Sequence, residues 1–237
     1  MSRLFEVCSP TITRALDILT YARWFSGNEP LAYLSVEYAM LRHGRFEADV
    51  AKLYYREYPS DLTIDCRIYD RAPCIEDIQL GHLLHDALGK PWINDDARIW
   101  YTNASVSPEE LDRIKCHHRI GYERLFSDGI PIVPDIQPVT YDIIRWHHEK
   151  LDGSGPEGLS GDEIPHVVKV GIVIDQIISR CQEKPYHGER FNLPGAVSDL
   201  YRGYDTEFDG VVLDKVRELF EDNEHMKVPG LQWLGLY

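Results

Sequence analysis

The sequence has no long hydrophobic run and little positive charge, and each absence excludes a class of protein. No segment approaches the ~18 consecutive apolar residues of a membrane-spanning helix, and residues 1–10 hold no apolar run suited to a secretory signal. The net charge is −14, from 39 acidic and 25 basic residues. This balance disfavours binding to nucleic acid polymers or anionic membranes, because such proteins neutralise phosphates with Lys and Arg. We therefore expect a cytoplasmic protein with neither partner.

The sequence also lacks closely spaced cysteines. The five cysteines are odd in number, scattered and without a Cys-x-x-Cys motif, which indicates reduced thiols rather than a disulfide framework. With 237 residues, of which 43% are hydrophobic, the chain is long enough for one large domain or for one domain with a small extension.

Strand-type alternation is almost absent, whereas apolar residues recur at helical spacing through most of the chain. Helices are predicted at 11–24, 31–57, 75–88, 108–126 (after Ser107 as N-cap), 140–150, 166–181 and 208–222. The predicted fold class is all-α, a helical bundle. We interpret residues 1–30 as an N-terminal helical extension, either a cap or a homodimer contact, and residues 31–237 as the main domain.

The most informative segment is His147-His148-Glu149, which precedes a glycine-rich loop over residues 152–165. Two adjacent imidazoles on one helix differ in direction by roughly 100°, so they can serve two metal ions that share a small site. Neutral imidazole suits zinc, iron and manganese, and carboxylates widen the choice to harder ions. Glu149 has two interpretations, a helix-surface acid or a hydrogen-bond acceptor behind the ligands.

Further ligand candidates occur along the chain in a suggestive order. His85-Asp86 ends an apolar run, and Asp175 interrupts an apolar helix, where an unpaired carboxylate would cost several kcal/mol and therefore needs a cation or strong donors. His43 competes for a ligand place with His82, which we interpret as a partner of a ligand or a surface residue. Among the remaining histidines, His117 is one further candidate, and we interpret His118, His166 and His225 as surface residues.

This order of residues resembles the HD-GYP branch of the HD superfamily of metal-dependent phosphohydrolases, the bacterial cyclic di-GMP phosphodiesterases. The resemblance covers about residues 40–215 and rests on His85-Asp86 with Lys90, His117 before Gly121, and His147-His148-Glu149 with the loop that follows. It implies an HD-domain helical bundle. The metal ligands that it implies are His43, His85, Asp86, His117, His147, His148 and Asp175.

The chain departs from the family pattern around the expected substrate pocket. Gly155 is followed directly by Pro156, so the tyrosine of the Gly-Tyr-Pro motif is missing, and the spacing from Asp86 to Lys90 is one residue longer. Ile178 stands where the family often has a second aspartate, and Lys184 replaces an arginine, which differs from lysine in how it grips phosphate. By resemblance, the substrate-binding residues are Lys90, Gly153, Gly155, Lys184 and His187.

The resemblance implies hydrolysis of cyclic di-GMP to pGpG, with GMP as a further product, through a metal-bridged hydroxide. Asp86 and Lys90 would be the catalytic residues, and the cofactors would be two divalent metal ions, iron or manganese, with zinc also compatible. A third ion is not expected, because Ala39 occupies the position of its carboxylate and Glu37 lies six residues before His43.

Two alternatives stay open at this point. One is an HD phosphohydrolase acting on another nucleotide or cyclic dinucleotide. The other is a weakly active receptor that signals by binding, for example to a diguanylate cyclase (GGDEF) protein.

Overall fold

The computed structural model describes residues 10–26, 32–92, 107–182 and 191–222, with the side chains of residues 21–26 and 32–39 outside the description. The α-helices within these ranges are α1 Pro10–Ser26, α2 Ala32–Glu57, α3 Ile75–Leu84, α4 Pro108–Lys115, α5 His117–Glu123, α6 Pro138–Trp146, α7 His166–Cys181, α8 Leu193–Leu200 and α9 Gly210–Asp222. Short 3-10 helices lie at Pro59–Arg67, Lys90–Trp92, Gly161–Glu163 and Tyr201–Gly203. The predicted all-α fold is confirmed, and no helix in the described ranges has the length and hydrophobicity to cross a bilayer.

Strands are confined, in the described ranges, to one antiparallel pair, β1 Phe126–Ser127 and β2 Ile130–Pro131. Phe126 pairs with Pro131 and Ser127 with Ile130. The turn between them has positive φ at Asp128 and Gly129, which is the backbone geometry that joins two strands through two residues.

The helices enclose two apolar clusters. The larger is built from α2, α3 and α6 to α9, and the smaller from α1, α2, α3 and α6. Helices α3 and α6 contribute to both, since Ile78 and Ile143 lie in the larger cluster whereas Leu80 and Ile144 lie in the smaller one. Helices α3 and α6, which directly precede His85-Asp86 and His147-His148, therefore pack against both clusters.

Two glycines allow the ligand-bearing segments to approach closely. A Cβ on Gly44 of α2 would overlap the carbonyl oxygen of His82 on α3, and a Cβ on Gly89 would overlap the carbonyl oxygen of His117. Neither glycine has positive φ, so their small size is what matters. They bring His43 next to His85-Asp86, and His85-Asp86 next to His117.

Several predicted element boundaries require correction. The helix predicted at 75–88 ends at Leu84, the helix predicted at 108–126 is broken at Cys116, and the helix predicted at 140–150 ends at Trp146. Helix α8 was not predicted. The helix predicted at 166–181 has the observed bounds, and Ser107 is the N-cap of α4, in a reciprocal capping box with Glu110.

The boundary between residues 1–30 and 31–237 stays a prediction. Helix α1 contributes Ala15, Ile18 and Leu19 to the smaller cluster.

Candidate metal centre

The structure brings all seven predicted ligands together in one cluster. They come from α2, from the turn after α3, from the start of α5, from the turn after α6 and from the middle of α7. Six are buried, and His148 is partly buried. In sequence order they are His43, His85, Asp86, His117, His147, His148 and Asp175.

One end of the cluster consists of three imidazoles. His117 Nε2 lies 3.1 Å from His147 Nε2 and 3.2 Å from His148 Nε2. In the first two rings Nδ1 donates to a backbone carbonyl oxygen, of Ile114 at 2.6 Å and of Ile144 at 2.9 Å. When neutral, each ring therefore directs an Nε2 lone pair at the other. Two lone pairs at this distance repel, and a shared cation removes the conflict.

Asp86 lies between this end and the other ligands. Its Oδ1 is 3.0 Å from His117 Nε2 and 3.6 Å from His85 Nε2, while its Oδ2 is 3.7 Å from His43 Nε2. Each carboxylate oxygen thus faces a different part of the cluster. This is the arrangement that a carboxylate bridging two cations needs.

The second end is rich in carboxylates. His43 Nε2 is 3.3 Å from Asp175 Oδ1, which also accepts a hydrogen bond from Ser179 Oγ at 3.0 Å. His43 Nε2 is also 2.7 Å from Glu47 Oε1. Glu47 was not among the predicted ligands, yet only 1% of it is exposed and it closes a tetrad with His43, His85 and Asp175. The signal that would have found it is its spacing of four residues from His43 on one helix face.

The two ends of the cluster differ in their electrostatics. Burial lowers the pKa values of His117, His147 and His148, and neighbouring imidazoles add to the effect for the last two. At the second end burial alone would lower the pKa of His43, but Glu47 and Asp175 raise it to about 9. The trio is therefore neutral near pH 7, as metal ligation requires, and the carboxylate end attracts cations.

Lys90 lies inside the site. Its ammonium is buried and donates to Asp86 Oδ2. Burial alone would raise the pKa of Asp86, but Lys90 and His85 hold it well below its usual range. The longer spacing between Asp86 and Lys90 in this chain therefore does not separate their side chains, because a turn over residues 85–89 brings Lys90 back to Asp86.

Glu149 organises the glycine-rich loop. Its Oε1 accepts the backbone N–H of Glu157 and its Oε2 that of Leu159, each at 2.8 Å. Glu149 is buried, so the helix-surface interpretation is wrong. Gly155 packs so tightly on Glu149 that a Cβ would lie 2.6 Å from Glu149 Cα.

The same loop is tied to α6 by a second carboxylate. Glu157 accepts from Arg145 Nε at 2.9 Å and from Trp146 Nε1 at 3.3 Å. The loop is therefore anchored on both sides of the His147-His148 turn.

Two histidines interpreted as surface residues are not at the surface. His118 is 4% exposed and its ring packs near those of His117 and His148. His82 is 1% exposed and its Nδ1 lies 3.3 Å from Glu47 Oε2, so its other interpretation, the partner of a ligand, fits. His166 is partly buried against Asp61. Lys184, His187, His225 and the side chains of Glu37 and Ala39 lie outside the described residues.

The donor set fits divalent metal ions. Groups whose ligand atoms all lie within 4.8 Å of one another are His117 with His147 and His148, His43 with Glu47, His85 and Asp175, and His85 with Asp86 and His147. His85 supports the fit further, because its Nδ1 donates to His82 O at 2.7 Å while its buried Nε2 has no hydrogen-bond partner in the described structure. A buried imidazole nitrogen facing carboxylates in this way is suited to a cation.

The chain is similar in sequence to several curated proteins. The chain is 34% identical over 113 residues to a cyclic di-GMP phosphodiesterase of Thermotoga maritima, covering 47% of the chain and 29% of that protein. It is 31% identical over 138 residues to the cyclic di-GMP phosphodiesterase response regulator RpfG of Xanthomonas campestris pv. campestris, covering 58% and 34%. A probable cyclic di-GMP phosphodiesterase of Vibrio cholerae is 29% identical over 166 residues, covering 62% and 35%.

The chain spans about a third of the length of these curated relatives. No family model matches it. Among solved structures, Bd1817 of Bdellovibrio bacteriovorus, described as an HDG"Y"P protein, superposes with a TM-score of 0.55 at 14% identity, covering 89% of this chain and 63% of that one. This likeness supports the fold. The ordered motifs of the chain resemble those of the HD-GYP family, without the tyrosine of the Gly-Tyr-Pro motif, and the similarity to the curated relatives supports that resemblance.

Proposed function

We propose that this protein is a metal-dependent phosphodiesterase that hydrolyses cyclic di-GMP. The observation that carries the proposal is the facing pair of imidazole nitrogens on His117 and His147, beside Asp86, in a cluster of convergent ligands. The curated relatives named as cyclic di-GMP phosphodiesterases support the substrate.

His117, His147 and His148 would hold one ion, His43, His85 and Asp175 the other, and Asp86 would contact both. When bound, two divalent ions supply an activated water and neutralise charge on the phosphoryl oxygens. Ligand chemistry favours iron or manganese and is also compatible with zinc.

The protein's own groups prepare this centre. Asp86 directs one oxygen to each half of the cluster, and the Lys90 ammonium beside it adds the positive charge that a phosphodiester oxygen requires. The carbonyl oxygens of Ile114 and Ile144 hold the protons of His117 and His147 on Nδ1, so that Nε2 faces the centre. Glu149 fixes the loop that carries Gly153 and Gly155, which we assign to substrate binding.

A specific feature favours a second candidate, an HD phosphohydrolase acting on another cyclic dinucleotide or nucleotide. The loop lacks the family tyrosine, and Glu157, two residues after Gly155, carries a carboxylate bound to Arg145 and Trp146. The Glu157 carboxylate adds negative charge to the loop that we assign to substrate binding, and this charge would disfavour some anionic substrates more than others.

The test is to load the protein with Mn²⁺ or Fe²⁺ and to incubate it separately with cyclic di-GMP, cyclic GMP-AMP and simple nucleotides. The products are then separated by chromatography. Conversion of cyclic di-GMP to pGpG or GMP, lost in Asp86→Ala together with bound metal, is the expected result. Selective turnover of another nucleotide would favour the second candidate, and the absence of turnover with bound metal would contradict both.

A further inference from the structure

Among the described residues, the side chains next to Glu47 that can carry positive charge are imidazoles. Glu47 lies one helical turn after His43 on α2, and no Lys or Arg of the described ranges is within ion-pair distance of it. Its neighbours are His43, His82 and His85. A buried carboxylate in this setting needs either an imidazolium or a metal ion.

The contacts of Glu47 have the geometry of converging ligands. Oε1 lies 2.7 Å from His43 Nε2 and has no hydrogen-bond partner among the described residues. Oε2 lies 3.6 Å from His85 Nε2. That nitrogen carries a lone pair when His85 is neutral, because His85 Nδ1 donates to His82 O. A lone pair and a carboxylate oxygen do not satisfy each other, but both can bind one cation.

His82 holds Glu47 from behind. Its Nδ1 is 3.3 Å from Glu47 Oε2, and its ring fits because residue 171 is glycine, where a Cβ would lie 3.1 Å from His82 Cε1. An imidazole that hydrogen-bonds a ligating carboxylate fixes its orientation, and loss of such partners typically weakens metal binding about 10–100-fold.

We propose that Glu47 is a metal ligand of this chain, sharing one cation with His43, His85 and Asp175, and that His82 is its positioning residue. The inference rests on the metal centre required by the proposed function, but not on the identity of the substrate. It gives this end of the centre two carboxylates and two imidazoles, whereas the opposite end has three imidazoles.

The test measures Mn²⁺ binding to the intact chain by elemental analysis after dialysis and by titration against a chelator. We expect Glu47→Gln, which keeps the size of the side chain, to weaken Mn²⁺ at this end by at least 10-fold and to reduce tightly bound Mn²⁺ from two ions to one. His82→Asn should weaken the same ion without abolishing binding. The matched control is Asp65→Asn, a buried carboxylate that caps α7 instead, through His166 N and Val167 N; it should bind Mn²⁺ like the wild type.

Melting temperatures with and without chelator separate a ligand from a structural counter-ion. If Glu47 is a ligand, Glu47→Gln reduces the rise in melting temperature that Mn²⁺ produces. An equal drop in both conditions, with unchanged Mn²⁺ content, would overturn the proposal. Wild-type protein that binds no Mn²⁺, Fe²⁺ or Zn²⁺ would overturn the proposed function as well, so the two failures are distinguishable. If Glu47→Gln does not fold, the His82→Asn titration decides, because unchanged affinity there refutes the positioning role and the shared cation with it.

Discussion

His117 Nε2 and His147 Nε2 face each other at 3.1 Å, and in both rings Nδ1 is hydrogen-bonded to a backbone carbonyl oxygen. The backbone therefore fixes which nitrogen of each ring faces the site. Burial lowers the pKa values of His117 and His147. Protonation of one ring therefore relieves the repulsion between the two Nε2 lone pairs less readily than a metal ion would.

The first prediction concerns thermal stability. Ligands that bind only the folded state at about 100 times their Kd add ~2.7 kcal/mol, which for a chain of this size corresponds to a rise of roughly 5–10 °C in melting temperature. Adding Mn²⁺ to chelator-treated protein should produce such a rise, and His147→Ala, which removes a ligand of one of the two ions, should reduce it. The control is His166→Gln, which alters a histidine bound to Asp61 outside the cluster. An equal rise in His147→Ala would contradict the ligand assignment.

The second prediction concerns the loop. Glu149→Gln replaces one of the two acceptor oxygens with an NH2 group, which cannot accept the backbone N–H that this oxygen accepts. The buried N–H is then left without a partner, which lowers the free energy of unfolding by about 1–3 kcal/mol. Urea unfolding should show this loss, metal content should stay unchanged, and the KM for the substrate should rise because the loop is displaced.

Glu163→Gln is the matched control for the loop, since Glu163 accepts from Ser160 in an exposed capping box. Its effect on stability and KM should be small. Loss of bound metal in Glu149→Gln would show that Glu149 acts on the ligands rather than on the loop.

The third prediction concerns Gly44. Alanine normally stabilises a helix by about 1 kcal/mol relative to glycine, but here a Cβ would overlap the carbonyl oxygen of His82. Gly44→Ala should therefore destabilise the protein by about 1–3 kcal/mol through overpacking. Because it moves His43 away from Asp86, it should also weaken Mn²⁺ binding. Arg42→Ala, an exposed change on the same helix, should do neither; stabilisation by Gly44→Ala would refute the close approach.

The fourth prediction concerns pH. Burial raises the pKa of Asp142 from 3.8 to about 6, although Tyr69 Oη donates to it at 2.9 Å. The folded state therefore retains a proton that the unfolded chain releases, so this group lowers stability as pH rises between about 4 and 6. Asp142→Asn keeps the acceptor for Tyr69 and should be more stable than wild type at pH 8, with little difference at pH 4. Urea unfolding at both pH values measures this, and a difference independent of pH would be inconsistent with the raised pKa.

The helical pattern was readable from the sequence wherever one helix face meets the core along its whole length. The bounds of α7 and nearly all of α2 follow from apolar spacing alone. The helix predicted at 140–150 was too long because Trp146 O accepts from Glu149 N in a turn. That turn lets Glu149 receive the loop amides, and no local preference of His147-His148 specifies it.

The amino-acid order alone predicted the candidate ligands, through the order of histidines and aspartates that resembles the HD-GYP family and through the aspartate inside an apolar helix. It could not determine the carboxylate of Glu47 or the burial of His82 and His118. Which face of α2 meets the cluster depends on how closely Gly44 lets that helix approach α3, and this is a property of packing between residues distant in the chain. The sequence supplies the residue types, whereas the packing of the helices decides which of several plausible side chains lie close enough to one another to hold a cation.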